Sequence, residues 1–392
     1  MPSVNPDVLR WARETAGLSL DDAAKGLQLG GARLSPADAL GRIEGGEAAP
    51  SRSLLLRMTK TYRRPLLTFY LAKPPERGER GEDFRTLPED RVEESAGKLD
   101  ALVRDVFVRQ RLVKEALEDA EEAVALPFVG SIQMDQPVEG VCRSLRKALD
   151  FELDQFRKKR TIEDAFRYLR NQVELTGVFV LLIGNLGSHH SNVSAEVFRG
   201  FALADKVSPF IVVNDQDAKS AWSFTLLHEL VHIWLGQTGI SGGAFEKHIE
   251  KFCNDVASEL LVPQAELAEW NPRVQRIEDL VADISEFGDT RKVSRSMVAY
   301  RLYKAGRITK VTWETLTGRF RELWLQEKTS IKQAAAEAEG GPSYYMVRRH
   351  RLGSALVKIV KRTLDEGVLT PTKAGRILGV RPNNVALLVD GV

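Results

Sequence analysis

The chain has 392 residues, of which 43% are hydrophobic and 28% charged, and its formal net charge is +2. This composition excludes a disordered or fibrous protein, and the length favours two to four structural units. No run of about 18 apolar residues and no secretory signal is evident, so neither a membrane span nor export is predicted. With only Cys142 and Cys253 available for disulfides, a reducing compartment, the cytoplasm, is expected.

The first 73 residues have the pattern of short helices. Apolar residues recur at helical spacing in PDVLRWARETAG, and Ser19 and Ser35 precede the next two helices as N-caps. Residues 74–91 are rich in Pro, Gly and charge and have no apolar period, which predicts a linker. The charged, amphipathic residues 92–175 predict further helices.

Three short apolar runs with Gly or Pro punctuation predict a small sheet beside a long helix that begins near Ala221. These runs are GVFVLLIGN, EVFRGFAL and PFIVVN. After Pro263 the chain is again predicted to be helical, with two helices joined by a Gly-containing turn in 277–308. SIKQAAAEAEGGP, residues 330–342, predicts a second linker.

The stretch FTLLHELVHIWLGQTGISGGAFEKHIEKFCNDVASELLVP contains the chemically most informative residues. His228 and His232 are four residues apart and therefore share one helix face, so both imidazoles can bind one divalent ion. Glu229, beside the first histidine, can face a water on that ion. Zinc suits two imidazoles and a carboxylate, which leave its fourth position for water.

A third ligand is expected from the helix that follows GQTGISGG, where Glu250 and His248 are both chemically reasonable. The alternative is an ordinary core helix whose two histidines are partly buried and hydrogen-bonded. The apolar character of the helix from Phe224 to Leu235, which would shelter an ion, favours the metal site. Cys253 is predicted to be a small packing residue rather than a sulfur ligand.

FTLLHELVH, preceded by FRGFAL and PFIVVNDQDA and followed by IEKFCNDVASELLVP, resembles the ImmA/IrrE family of zinc metallopeptidases. That family pairs an HExxH helix with a second helix whose glutamate, four residues before an Asn, is the third zinc ligand. The resemblance implies that His228, His232 and Glu250 bind zinc and that Glu229 is the general base. It is specific for about residues 176–265.

LRWARETAGLSLDDAAKGL and LGRIEGGEAAPS resemble the XRE-type helix–turn–helix domains of phage-like repressors. In such domains the second helix of the motif enters the major groove and basic residues contact phosphates. The resemblance implies DNA contacts by Arg33, Ser35 and Arg42. Asp38 in the same helix opposes DNA binding, and few side chains there suit base readout. The alternative is a module that docks to a protein or to a second copy of the chain.

Residues 346–381 carry nine Lys/Arg and two Asp/Glu. This excess is compatible with nucleic acid or an acidic partner, but such charges also simply solvate a helix face, and both interpretations stay open. Residues 370–389, TPTKAGRILGVRPNNVALLV, have in addition the outline of a short helix–turn–helix.

These patterns predict an α+β, mostly helical fold with an N-terminal helix–turn–helix bundle, a zincin-like peptidase core with a small β-sheet, and a helical C-terminal region. The expected boundaries are 1–73 for the helix–turn–helix domain, 74–91 for the linker, 92–175 for the helical lead-in, 176–270 for the peptidase core, 271–328 for a helical extension and 329–392 for the basic C-terminal region.

The predicted function is that of a regulatory Zn²⁺-dependent metalloendopeptidase, with Glu229 as general base, that cleaves a repressor or antitoxin-like protein. Expected partners are that substrate, double-stranded DNA through the N-terminal domain and a second copy of the chain, with no membrane. The alternative is a DNA-binding transcriptional regulator whose peptidase-like domain only senses or binds a partner.

Overall fold

A computed structural model describes residues 4–29, 34–62, 64–74, 93–187, 191–238, 244–337 and 343–390. About 64% of the chain is helical and one small three-stranded sheet is present, which confirms the predicted mostly helical α+β class. The chain divides into two compact units, residues 1–107 with 185–198, and residues 108–184 with 199–392. Among the described residues, no helix is both long and apolar enough to cross a membrane.

The first unit contains a bundle of short helices with polar N-caps. They are α1 (Pro6–Glu14), α2 (Leu20–Gly26), α3 (Pro36–Glu44), α4 (Arg52–Thr61) and a 3₁₀ turn (Leu66–Tyr70). Ser19 and Ser35 cap α2 and α3, as predicted, by accepting backbone N–H bonds from Asp22 and Asp38. Each serine hydroxyl also donates to the carboxylate of the same aspartate, so both helix starts are fixed by short-range bonds.

An ion pair and an apolar core hold this bundle together. The Arg13 guanidinium donates from Nε to the buried Glu44 carboxylate at 2.9 Å. The core is made of side chains that α1 to α4 turn inward: Leu9, Ala12, Ala23, Ala24, Leu27, Leu40, Ile43, Leu54, Leu55, Met58, Tyr62 and Phe69. Helix α5 (Glu93–Asp119) follows residues 75–92, and the predicted linker 74–91 lies outside the described residues except for Pro74.

The amphipathic lead-in to the sheet forms three helices, α6 (Val138–Leu149), α7 (Leu153–Arg157) and α8 (Ile162–Leu175). Asp150 ends α6 in the left-handed conformation, with a φ of 47°. Such a conformation is common after a helix C-terminus and stops the helical ladder. Thr161 then caps α8 through the Asp164 backbone N–H.

The sheet is short, buried and of mixed direction. Its strands are β1 (Phe179–Leu182), β2 (Gly200–Leu203) and β3 (Phe210–Val213), in the order β1-β3-β2. β3 pairs in parallel with β1 and antiparallel with β2, and Gly200 lies opposite Val213. The three runs predicted as strands are therefore all present, although the second begins at Gly200 rather than near Glu196.

Helices cover this sheet and extend from it. They are α9 (Lys219–Trp234), α10 (Ala244–Leu261), α11 (Gln264–Glu269), α12 (Ile277–Arg291), α13 (Arg295–Lys304) and α14 (Lys310–Glu337). The turn between α12 and α13 is made by Lys292 in the left-handed conformation, whereas Gly288 is buried inside α12. The predicted linker at 330–342 is wrong up to Glu337, because α14 continues through SIKQAAAE, a sequence rich in helix-favouring alanine.

The C-terminal region consists of α15 (Tyr344–Leu352), α16 (Ser354–Asp365), α17 (Pro371–Leu378), a 3₁₀ turn (Pro382–Asn384) and α18 (Val385–Val389). Helices α15 and α16 both pack on strand β1. A buried pair on α8 anchors them: Glu174 accepts from the backbone N–H groups of Ser354 and Ala355, and Arg170 donates to the carbonyl of Arg351. The C-terminal helices are thus attached both to the sheet and to α8.

Candidate metal centre

Helix α9 is buried on nearly all sides, because α8 and α10 pack against it together with β2 and β3. Its sequence is accordingly apolar all round, and residues from Trp222 to Trp234 are almost all buried. Three polar side chains interrupt this apolar surface near its C-terminal end: His228, Glu229 and His232, each only 7% exposed. Polar groups at such depth need partners or a function.

Three side chains from two helices converge at this point. His228 and His232 lie one turn apart on α9, and their Nε2 atoms are 3.2 Å from each other. Glu250 on the neighbouring helix α10 reaches both rings, with carboxylate oxygens 3.2 Å from His228 Nε2 and 3.1 Å from His232 Nε2. Among the described residues, these three form a group able to hold a metal ion.

The spacing of the three donors can be compared with the known coordination of zinc. Zinc binds imidazole nitrogen at about 2.0–2.1 Å and prefers tetrahedral geometry, so neighbouring ligand atoms should be about 3.3 Å apart. The observed separations of 3.1–3.2 Å agree with this value. Two neutral imidazoles and one carboxylate also match the donor types of catalytic zinc sites with three protein ligands.

Glu229 is set apart from these donors by its position and its protonation. Burial raises the pKa of its carboxyl above the usual range, although the neighbouring His228 and His232 act in the opposite direction. A Cβ atom at Gly200 would come within 2.9 Å of the Glu229 Cγ and Oε1 atoms. The side chain of Glu229 therefore lies directly on the backbone of β2, at a position where only glycine leaves enough room.

Cys253 contacts the same group from α10. Burial alone would lower the pKa of His232, but the neighbouring Cys253 thiol and the Glu250 carboxylate together hold it above its usual value. Cys253 is fully buried in the apolar core and lies outside the donor group, in agreement with the predicted packing residue. By contrast, His228 Nδ1 is buried without a hydrogen-bond partner among the residues that the structure describes.

The other predicted site residues fall elsewhere. His248, the competing third ligand, is solvent-exposed on α10 and lies outside the donor group. Of the residues predicted to contact DNA, Arg33 lies outside the described residues. Ser35 uses its hydroxyl to cap α3, and Arg42 forms an ion pair with Glu47 at 3.1 Å. DNA contacts by these residues stay a prediction.

Comparison with known proteins agrees with the location of this group. Residues 187–303 match the Peptidase_M78 family model, described as the IrrE N-terminal-like domain. This match includes all of β2, β3, α9 and α10 and therefore His228, Glu229, His232 and Glu250. It supports a peptidase-like domain related to the ImmA/IrrE family. Searches among curated proteins and among solved structures gave no significant match.

Proposed function

We propose that this protein is a zinc-dependent metalloendopeptidase in which His228, His232 and Glu250 hold the metal and Glu229 is the general base. The observation that carries the proposal is the convergence of three donors at 3.1–3.2 Å beside a buried carboxylate that ligates nothing. A purely structural role would not require a fourth ionisable group at the same buried point.

The residues of the chain have separate tasks in this proposal. Zinc, when bound, polarises a carbonyl and lowers the pKa of water towards neutrality. The Glu229 carboxylate accepts a proton from the attacking water and then donates it from the same carboxyl group to the departing amine nitrogen. Burial raises the pKa of this carboxyl above its usual value, which is the direction that favours its return of the proton to the amine.

We also propose that the substrate is a single regulatory protein, a transcriptional repressor or an antitoxin-like protein. Support comes from the match to the IrrE N-terminal-like domain and from the resemblance of the first 73 residues to repressor-type domains. The small N-terminal bundle is built around its own core, as a recognition module would be. A restricted substrate also suits a protease acting among the proteins of its own cell.

The test compares the zinc-loaded protein with its Glu229→Gln variant in extract from the host. New peptide N-termini are identified by mass spectrometry, and bound zinc is counted in both samples. We expect one or a few cleavage sites made only by the unchanged protein, with about one zinc per chain in both. Identical peptide profiles with zinc bound in both would contradict the proposal and favour the non-proteolytic regulator.

The contribution of Glu250 to zinc binding can be compared with that of a control substitution on the same helix, α10. Glu250→Gln should lower zinc affinity by about tenfold or more, because a neutral amide oxygen replaces a charged ligand. His248→Ala, two residues away on an exposed position, should leave the affinity unchanged. Equal zinc affinity in both variants would mean that Glu250 is not a ligand.

A further inference from the structure

The last three helical segments form a compact helix–turn–helix with a glycine at each close approach. Helix α17 ends at Gly379, which has a φ of 64° and so adopts the left-handed conformation that favours glycine. Inside α17, a Cβ atom at Gly375 would lie 2.8 Å from the Val380 carbonyl oxygen. The turn is therefore packed tightly against the helix that precedes it, as in helix–turn–helix motifs.

Two consecutive arginines of α15 hold the motif in place. Arg348 donates from Nε and Nη2 to the Leu378 carbonyl at the end of α17, at 3.1 and 2.7 Å. Arg349 donates to the carbonyls of Leu387 and Leu388 at the end of α18. Positive charges at helix C-termini are favourable, and these bonds satisfy carbonyls that a helix end leaves unpaired.

Other cations of residues 346–381 also have partners within the protein. Arg351 pairs with Asp215 at 2.7 Å, and Arg362 pairs with Glu122. Much of the basic excess that the sequence displays in α15 and α16 therefore serves internal contacts. The basic face predicted for that helical segment is not a simple solvated surface.

The outward face of α17 and of the segment after it has a different composition. Ala374, Ile377, Leu378, Val385, Leu388 and Val389 face the core. The exposed side chains opposite them include three cations and several hydrogen-bonding groups: Thr370, Thr372, Lys373, Arg376, Arg381 and Asn383. Within residues 370–390 the only acidic side chain is Asp390, at the far end, and the Glu115 carboxylate of α5 lies 4.0 Å from the Lys373 ammonium, with both side chains more than two-fifths exposed. A cationic face with hydroxyl and amide groups is complementary to the phosphate backbone of a nucleic acid.

The helix pair α2–α3 of the N-terminal bundle offers the opposite charge. Its exposed residues include Asp21, Asp22 and Asp38 against Lys25, and the exposed Arg42 is paired with Glu47. Like charges repel, so this face is a poor match for phosphates. Of the two helix pairs, the C-terminal pair has the charge that DNA requires.

We propose that the α17–α18 helix–turn–helix is a binding site for double-stranded DNA. By the usual docking of such motifs, Lys373 and Arg376 on the first helix contact phosphates. Arg381 and Asn383, at the start of the second helical segment, reach the base edges of the major groove. The test measures binding of DNA and not cleavage of a protein, so its result does not depend on the peptidase activity.

The test measures fluorescence anisotropy of a labelled mixed-sequence duplex of about 30 base pairs with the full-length protein at several salt concentrations. We expect affinity to fall steeply between about 50 and 200 mM salt. The Lys373→Ala/Arg381→Ala variant should bind about tenfold or more weakly, and the slope of log affinity against log salt should lose about one unit, for the phosphate contact of Lys373. Both side chains are exposed, so thermal unfolding of the variant should match that of the unchanged protein.

Two control variants test whether the loss of DNA affinity is specific to the α17–α18 motif. Lys310→Ala/Arg319→Ala removes the same charge from exposed positions on α14, and Arg42→Ala removes a cation from the N-terminal bundle. Both should retain the affinity and the slope of the unchanged protein, within about twofold. The proposal is overturned if the full-length protein does not bind the duplex at about 50 mM salt. It is equally overturned if the α14 variant loses as much affinity as the α17–α18 variant, or if only Arg42→Ala weakens binding.

Discussion

Two clusters of ionisable side chains are buried in the larger unit, and they are built on different principles. In the first, Glu174 accepts from Arg170 at 3.1 Å and from two backbone N–H groups, and Arg170 donates to three backbone carbonyls. In the second, two imidazoles and the Glu250 carboxylate point at one another at hydrogen-bond distance around a common centre.

The two clusters differ in how the free-energy cost of burying their polar groups is compensated. The Arg170–Glu174 cluster balances its charges and directs nearly every donor and acceptor to a partner within the fold. The histidine cluster directs its lone pairs towards a common point, leaves His228 Nδ1 without a partner among the described residues, and keeps a further carboxyl, Glu229, with a raised pKa. A satisfied buried cluster indicates a structural role, and one with converging donors indicates a ligand.

The sharpest way to break this comparison is to remove one carboxylate from the functional cluster. Glu229→Gln should lower kcat on the identified substrate by about 10³-fold or more, about 4 kcal/mol in the barrier, because no base remains to take the proton. The midpoint of urea unfolding should stay the same or rise, since a buried carboxyl has been made neutral. A large loss of stability would show that Glu229 is structural.

The corresponding change in the structural cluster should have the opposite signature. Glu174→Gln leaves Arg170 as a buried charge without its counter-ion and should destabilise the fold by about 3 kcal/mol, measured by urea unfolding. Arg167→Ala on the same helix removes one partner of the surface pair with Asp164 and should cost less than about 1 kcal/mol. If the two variants unfold alike, the Arg170–Glu174 cluster does not hold the C-terminal helices to the core.

A steric change next to Glu229 tests whether its placement is specific. Gly200→Ala puts a methyl group 2.6 Å from Thr225 Cγ2 and 2.9 Å from the Glu229 side chain, and should displace both side chains, the Glu229 carboxylate included. We expect a loss of about 10²-fold in kcat with unchanged zinc content, because an error of about 1 Å in a catalytic group has that effect. Gly318→Ala, at an exposed position on α14 where a Cβ atom meets nothing within 4 Å, is the control without such a contact and should keep the activity.

Glu266 is intermediate between the histidine cluster and the Arg170–Glu174 cluster. Its substitution should change the free energy of unfolding less than that of Glu174. Burial opposes its ionisation, but hydrogen bonds from Arg157 and Arg291 prevail and hold its pKa below the usual value. The stability from these pairs is complete above the unfolded pKa of about 4.3 and is lost as the pH falls through the lower folded pKa.

Replacement by glutamine removes that dependence. Glu266→Gln should destabilise the protein by about 1 kcal/mol at pH 7, and the difference from the unchanged protein should shrink in unfolding experiments below about pH 4. A difference that grows on acidification would contradict the assigned pairs.

The sequence allowed the donor group to be predicted for a specific physical reason. Helical periodicity alone brings His228 and His232 together, and family resemblance rather than spacing selected Glu250 over His248. The three strands were likewise recognisable, because short apolar runs between Gly and Pro have few other structural outcomes.

What the sequence did not reveal depends on contacts between distant segments. Gly200 precedes Glu229 by 29 residues, and the contact appears only once β2 lies against α9. Arg170 and Glu174 bind backbone groups about 180 residues away. One signal was available: both charges lie among the apolar positions of an amphipathic helix, where an unpaired charge would be costly.

The packing of α15 and α16 on strand β1 also sets the order in which the parts of the larger unit are completed during synthesis. The ribosome completes α9 and α10, which carry all four ionisable groups of the metal centre, long before Ser354 emerges to meet Glu174. Until then, β1 is an uncovered edge and Arg170 lacks its carbonyl partners from α15. Full stability therefore arrives only when the C-terminal helices do, and a nascent chain that stalls before them remains incompletely folded.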